Sequence, residues 1–230
     1  MPPTLSTLIT NATCVFMDCD GVIFDANAFK LRALEATLAD FPGSTHAAMV
    51  DYWKRSGGVS RYVKFDHYVR EIVGLDGAEA EARIKATIAT FAAHSRAGYA
   101  AVAPLPEALA FARAVGPQRL VVVSGTDGEE LRQVFEQQGL TEVFPRVLGS
   151  PTLKREHIAA ELAARGCQAS ECLFIGDGAG DLEAATLTGV PFFFLAQMSP
   201  WPGAREAIAA TANASYLESW SELLSLASIA

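Results

Sequence analysis

Apolar positions along this chain fall into short, nearly uninterrupted runs: Thr13 to Met17, Leu120 to Val123, Phe144 to Leu148, Cys172 to Ile175 and Val190 to Leu195. A strand exposed on one face alternates apolar with polar, whereas a continuous run fits a strand covered on both faces, as in a parallel sheet between helices. Two stretches between these runs change period. Glu129 to Gln138 spaces Leu131, Val134 and Phe135 helically, and Glu156 to Arg165 does the same with Ile158 and Leu162. Strand and helix alternate, which predicts a doubly wound α/β core with ligands beyond the carboxyl ends of its strands.

Residues 26–103 break that rhythm. They show helical spacing, as at Ile84, Ile88 and Phe91, and no strand pattern. Gly57-Gly58, Gly74 and Gly77 mark turns within this stretch, and Pro104-Leu105-Pro106 marks its exit. The expected organisation is a core built from residues 1–25 and 104–230 with a helical domain, 26–103, inserted into it.

The polar clusters sit where predicted strands end. Asp18, Cys19, Asp20, Gly21 and Val22 follow the first run; Ser124-Gly125-Thr126 follows the second; and Gly176-Asp177-Gly178-Ala179-Gly180-Asp181 follows Cys172 to Ile175. Lys154 begins the helix before that last strand. One carboxylate at a strand end can attack an electrophile while a second, two residues on, holds or delivers a proton. A hydroxyl and backbone N–H groups at a loop-to-helix start bind phosphate oxygens. A lysine neutralises charge on a transferring group, and two further aspartates supply the hard oxygen ligands that Mg²⁺ prefers. Together these are the parts for moving a phosphoryl group.

Composition narrows the partners. The chain has 230 residues, half of them hydrophobic, enough for a core plus an insert. No apolar run approaches the roughly 20 residues of a membrane helix. The first segment has no basic start, and its apolar part runs straight into Asp18, unlike a secretory signal. Cys14, Cys19, Cys167 and Cys172 form no C-x-x-C pair and read as small buried thiols, which fits a reducing cytoplasm. A net charge of −8 disfavours nucleic acid, whose phosphates demand a basic surface, but leaves room for a small phosphate ester at a local anion site. No feature of the chain specifies an oligomeric state.

The ordered set of D-x-D-G, a strand-terminal Ser, a Lys and G-D-x-x-x-D resembles the four-motif signature of the haloacid dehalogenase superfamily, in its phosphatase branch. The resemblance spans the chain and implies a Rossmann-like core. It implies that Asp18 is the phosphoryl-accepting nucleophile and Asp20 the general acid and base, with Ser124 and Lys154 holding the phosphoryl group beside Gly125 and Thr126. It further implies Mg²⁺ held by the Asp18 carboxylate, the Asp20 carbonyl, Asp177 and Asp181. The family's dehalogenases lack a carboxylate at the Asp20 position, its phosphonate-cleaving members usually have Ala, and its transport ATPases have Thr. Aspartate there implies phosphate-ester chemistry.

The insert resembles the helical cap of phosphoglycolate phosphatase-like and β-phosphoglucomutase-like members. Gly58-Val59-Ser60-Arg61 is similar to the cap loop with which that mutase binds the far end of its sugar phosphate, which implies substrate contacts at Arg61 and Lys64. Lys30 stands where the mutase has a histidine coupled to its acid/base aspartate, a departure that favours hydrolysis. The expectation is a Mg²⁺-dependent phosphatase of a small phosphorylated metabolite, a sugar or short acid phosphate, with neither nucleic acid nor membrane as partner. The alternatives are a sugar phosphomutase and a non-catalytic phosphate-binding module. His67 and His94 lack metal-ligand spacing and read as structural. Trp53, Tyr62 and Phe65 fit either the cap's inner face or packing between its helices.

Overall fold

A computed structural model describes residues 5–229 of the chain, so the first four residues of the N-terminal segment lie outside the described residues. Six parallel strands form one sheet: β1 Cys14–Met17, β2 Leu120–Asp127, β3 Val147–Ser150, β4 Cys172–Gly176, β5 Phe192–Leu195 and β6 Ala214–Leu217, in the order β3-β2-β1-β4-β5-β6. The order reverses at β1, which pairs with β2 on one side and β4 on the other. Chain segments leaving β1, β2 and β4 therefore diverge from a common point, the place where doubly wound sheets bind ligands. Every residue of β1, β4 and β5 is buried, as their unbroken apolar runs require.

Helices cover both faces. Leu5–Asn11 (α1), Pro106–Val115 (α6), Gly128–Gln137 (α7) and Trp220–Ala227 (α11) lie on one side, and Lys154–Arg165 (α8), Ala179–Thr188 (α9) and Ala204–Ala209 (α10) on the other. The layers enclose two apolar clusters, one around Val15, Met17 and Phe135 and the other around Phe16, Phe174 and Ile158. The odd and even residues of β1 are thus divided between two cores.

Between β1 and β2 the chain is helical. Asn27–Leu38 (α2), Gly43–Arg55 (α3), Arg61–His67 (α4), a π turn over Tyr68–Ile72 and Gly77–Ala100 (α5) enclose a third cluster drawn wholly from residues 33–91, including Leu34, Met49, Phe65 and Phe91. The two connections to the core run side by side. Phe24 bridges Pro104, and Leu105 N–H donates to the Ile23 carbonyl at 2.8 Å.

The third strand starts later than its apolar run. Phe144 and Pro145 precede β3, because proline has no N–H for the ladder and Phe144 turns inward against Phe135, with ring centroids 5.5 Å apart. Likewise Val190 and Pro191 lie before β5. Strand β6, an edge strand only partly buried over Ala214–Tyr216, has no continuous apolar run to announce it. Among the described residues no helix is long and apolar enough to cross a membrane.

Candidate active site

Three strand ends converge. Asp18, just past β1, is buried and accepts the Cys19 N–H at 2.7 Å and the Lys154 ammonium at 2.8 Å, both on Oδ1. Lys154 opens α8 and also donates to Asp181 Oδ1 in the first turn of α9. Asp181 Oδ2 accepts from Gly178 N–H at 2.9 Å, tying the β4–α9 loop to its own helix. Asp177 Oδ2 accepts from Asn27 Nδ2 at 2.7 Å. One side-chain oxygen from each of Asp18, Asp177 and Asp181 lies within 4.8 Å of the other two, and all three residues are buried.

Three carboxylates this close repel one another. Burial, the Asp181 charge and Asp20 push the Asp18 carboxyl up to about 7 against the pull of Lys154. Burial, then Asp18 and Asp181, hold Asp177 well above the usual carboxylate range. One lysine supplies a single compensating charge, so the cluster fits a divalent cation, and its all-oxygen donor set is that of a hard one. Both Asp181 oxygens already take donors from the protein, which leaves Asp18 and Asp177 as the more available ligands.

Gly21 is required here by its surroundings. Its φ is +80°, and a Cβ would lie 2.0 Å from Asp177 Oδ2 and 2.6 Å from Asn27 Nδ2. The loop after Asp20 can approach the acidic cluster only without a side chain.

Asp20 is held differently. Lys30 from α2 pairs with its Oδ2, the Tyr99 hydroxyl from the end of α5 donates to Oδ1, and Thr126 Oγ1 donates to Oδ2 at 2.9 Å. Burial opposes ionisation, but the Lys30 ammonium and these hydrogen bonds outweigh it and draw the Asp20 carboxyl below its ordinary range. Lys30 also donates to Thr126, so the three groups form one network around the carboxylate.

A cavity of about 390 Å³ joins these groups to the helical segment. Asp18, Asp20, Lys30, Arg61, Lys64, Gly125, Thr126 and Asp177 all line it, together with Trp53 and Phe91. Ser124 and Lys154 line a neighbouring cleft of about 300 Å³ behind the Gly58–Val59 turn, and Lys154 reaches Asp18 from that side. Ser124 Oγ accepts the Thr126 N–H at 3.1 Å.

Several residues have duties the sequence did not announce. Arg61 is buried and forms a two-point pair with Glu130 of α7, at 2.8 and 3.2 Å, leaving its Nε without an acceptor. Tyr62 donates to Asp127 at 2.9 Å, and Gly180 N–H donates to the Gly57 carbonyl at 2.8 Å. Lys30 and Thr126, expected beside the substrate, are committed to Asp20, because α2 runs past the end of β2 and brings both within reach of that carboxylate. Trp53 and Phe65 pack on Phe91, and His67 stacks on Tyr52 with ring centroids 4.2 Å apart. Asn27, Tyr99 and Glu130 escaped the sequence reading. Tyr99 continues the i, i+4 stripe of Phe91 and Ser95, a signal that was available; Glu130, a charge on the buried face of α7, gave none.

The fold has counterparts among solved structures. The solved structures it resembles include a hydrolase from Pseudomonas syringae (18% identity over 93% of this chain and 96% of its own, TM-score 0.72). A Lactobacillus delbrueckii subsp. bulgaricus protein provisionally named a phosphoglycolate phosphatase is similar at 16% identity, over 94% of this chain and 98% of its own, with TM-score 0.67. CbbY from Rhodobacter sphaeroides, solved with phosphate, is similar at 18% identity over 95% of this chain and all of its own, again with TM-score 0.67. At these identities the likeness is one of fold. The comparison with curated proteins gives no match. The family model for haloacid dehalogenase-like hydrolases matches residues 12–189, which holds every motif described above from Asp18 to Asp181. On that match the chain belongs to the haloacid dehalogenase-like hydrolases.

Proposed function

We propose that this hydrolase is a magnesium-dependent phosphatase of a small phosphorylated metabolite, acting through a phosphorylated Asp18. The observation that carries the reading is the placement of Asp18 against Lys154 at 2.8 Å, beside two further buried aspartates, in a cavity that also holds Asp20. Asp18 and Asp177, with the Asp20 carbonyl and Asp181, would hold Mg²⁺, which offsets the repulsion between an anionic nucleophile and an anionic substrate.

Asp18 Oδ attacks phosphorus, the ester oxygen leaves as the alcohol with a proton from Asp20, and Asp20 then takes a proton from the water that opens the aspartyl phosphate. Lys154 neutralises charge on Asp18 and on the transferring group. Gly125 offers its main chain to the phosphoryl oxygens, and Ser124 shapes that loop. Lys30, Tyr99 and Thr126 aim the Asp20 carboxylate and loosen its hold on a proton, so that it gives one up to the leaving oxygen and is left ionised to take one from water, which restores the acid for the next turnover. Residues 26–103 serve as a cap that keeps bulk water from the intermediate, with Arg61 pinning it to the core.

The test is phosphate release from a metabolite panel with Mg²⁺ and with chelator. Release should need the metal and disappear in Asp18→Asn; activity surviving in that variant would overturn the reading. The presence of Lys30 in the Asp20 network favours hydrolysis over phosphoryl return to a second hydroxyl. A mutase would give an isomeric sugar phosphate from a hexose phosphate plus a trace of its bisphosphate, without net phosphate release.

A further inference from the structure

Three distant segments meet at Asn27, the first residue of α2. Its side-chain amide donates to Asp177 Oδ2 at 2.7 Å, past the end of β4, and to the Met198 carbonyl at 2.9 Å, past the end of β5. Ser199 Oγ, the next residue of that second loop, donates to the Asp177 carbonyl at 2.6 Å. Gly21 closes over the same carboxylate oxygen, since a Cβ there would lie 2.0 Å from Asp177 Oδ2.

Each carboxylate of the acidic cluster already has protein donors on it. Asp18 Oδ1 takes both the Cys19 N–H and the Lys154 ammonium, and Asp181 has Lys154 on Oδ1 and the Asp177 and Gly178 N–H groups on Oδ2. Asn27 engages one oxygen of Asp177. Among the described residues no protein donor reaches Asp18 Oδ2 or Asp177 Oδ1, so each of these two cavity-lining carboxylates keeps a single oxygen for a cation. Mg²⁺ demands an octahedral shell and is content with one oxygen from each of one or two carboxylates, filling the rest with water or substrate. Ca²⁺ takes about six to eight oxygens, often both of one carboxylate.

We infer that Asn27 is a positioning residue that makes the acidic cluster select Mg²⁺ over Ca²⁺, because by occupying Asp177 Oδ2 it turns that aspartate into a one-oxygen ligand. This rests on the proposed binding of a divalent ion at the cluster, and on no step of the reaction. An amide suits the task. It is neutral, so it aims the carboxylate without cancelling the charge that attracts the ion, as a lysine or arginine in its place would. Lys154 does not serve Asp177 in this way, since its bonds go to Asp18 and Asp181.

The test is calorimetric titration with Mg²⁺ and with Ca²⁺, without substrate, of wild type, Asn27→Leu, Asn27→Ala and Ser199→Ala. Leucine is close to asparagine in size but has no donor, and alanine leaves the carboxylate uncovered. The wild type should bind Mg²⁺ more tightly than Ca²⁺. In the Asn27 variants Mg²⁺ should bind roughly tenfold or more weakly while Ca²⁺ holds or gains, so the preference for Mg²⁺ shrinks by about tenfold or more. Ser199→Ala loosens the same loop without touching Oδ2 and should leave the preference where it is. Circular dichroism checks that each variant is folded, and two substitutions of different size keep the comparison intact if one of them does not fold.

A preference that persists in the Asn27 variants would overturn the inference, as would an equal weakening of both ions, the mark of a merely structural role, or an equal shift in Ser199→Ala. A wild type that binds neither ion, or binds Ca²⁺ as tightly as Mg²⁺, would overturn it too. Phosphate release is read separately. Turnover with an unmoved ion preference sinks the Asn27 assignment alone, and a preference lost in the Asn27 variants of a protein without turnover sinks the phosphatase reading alone.

Discussion

Arg61 and Glu130 face each other across the seam between the helical segment and the sheet, joined at two points, 2.8 and 3.2 Å, with both side chains buried. Removing one member of such a pair strands the other. Glu130→Gln should cost roughly 3 kcal/mol of stability, whereas Arg61→Met with Glu130→Leu should recover most of it. Urea unfolding of Arg61→Met, Glu130→Leu and the double of the two closes the cycle, and an additive double variant would show that the pair is not coupled.

Lys30 keeps Asp20 ionised, so its removal shifts the balance toward the protonated acid. In Lys30→Met the Asp20 carboxyl should titrate at higher pH, because the ammonium that lowers it is gone while burial remains. The acid limb of the pH–rate profile should move upward and kcat should fall, by about 10² to 10⁴ if Asp20 loses its acid–base role altogether. An unmoved acid limb would assign that limb to another group.

The acidic cluster should register a divalent ion without any turnover. Adding Mg²⁺ at about one hundred times its Kd should raise the melting temperature by roughly 5–10 °C, from a binding contribution of about 2.7 kcal/mol. Asp177→Asn should abolish most of that rise. A similar rise in the variant would move the ion elsewhere.

Lys64 makes stability depend on pH in a defined direction. Native Lys64 sheds its proton near pH 7, while the unfolded chain holds it to about 10.4. Between those values the unfolded state binds the extra proton, so this group's contribution rises with pH and its penalty is largest below pH 7. Lys64→Met should therefore melt several degrees above wild type at pH 6.5, with the gap closing toward pH 10. A gap that does not vary with pH would mean that Lys64 is not buried as a charge.

Gly178 meets the helical segment backbone to backbone, and a Cβ there would lie 2.4 Å from the Gly57 carbonyl carbon. Gly178→Ala should push the turn at Gly57 away, raising KM and lowering kcat together by about tenfold or more, since small displacements of positioning elements are costly. Stability should change by less than in Glu130→Gln, because the core packing is untouched.

Much of this was legible along the chain. Asp18, Asp177 and Lys154 each follow or precede a buried strand, so their convergence follows from strand order and handedness once the runs are recognised. The insert was visible because helical spacing interrupts the alternation. Pairings between distant segments were not visible. Arg61 was expected at the substrate, and its pairing with Glu130, 69 residues away on another element, has no local signal in the sequence. Thr126 and Lys30 looked like substrate contacts because only the crossing of α2 past β2 shows that Asp20 claims them first. Strand β6 was missed because an edge strand needs little hydrophobicity, and its neighbour supplies the ladder.

The bond from Gly180 N–H to the Gly57 carbonyl joins two glycines and involves no side chain. Separating them exchanges one amide–carbonyl contact for hydration of both groups, with no rotamers released or frozen, so the two situations lie close in free energy. That bond therefore aligns the two turns without holding them shut, and the grip across the seam falls to side chains, above all the buried pair of Arg61 and Glu130.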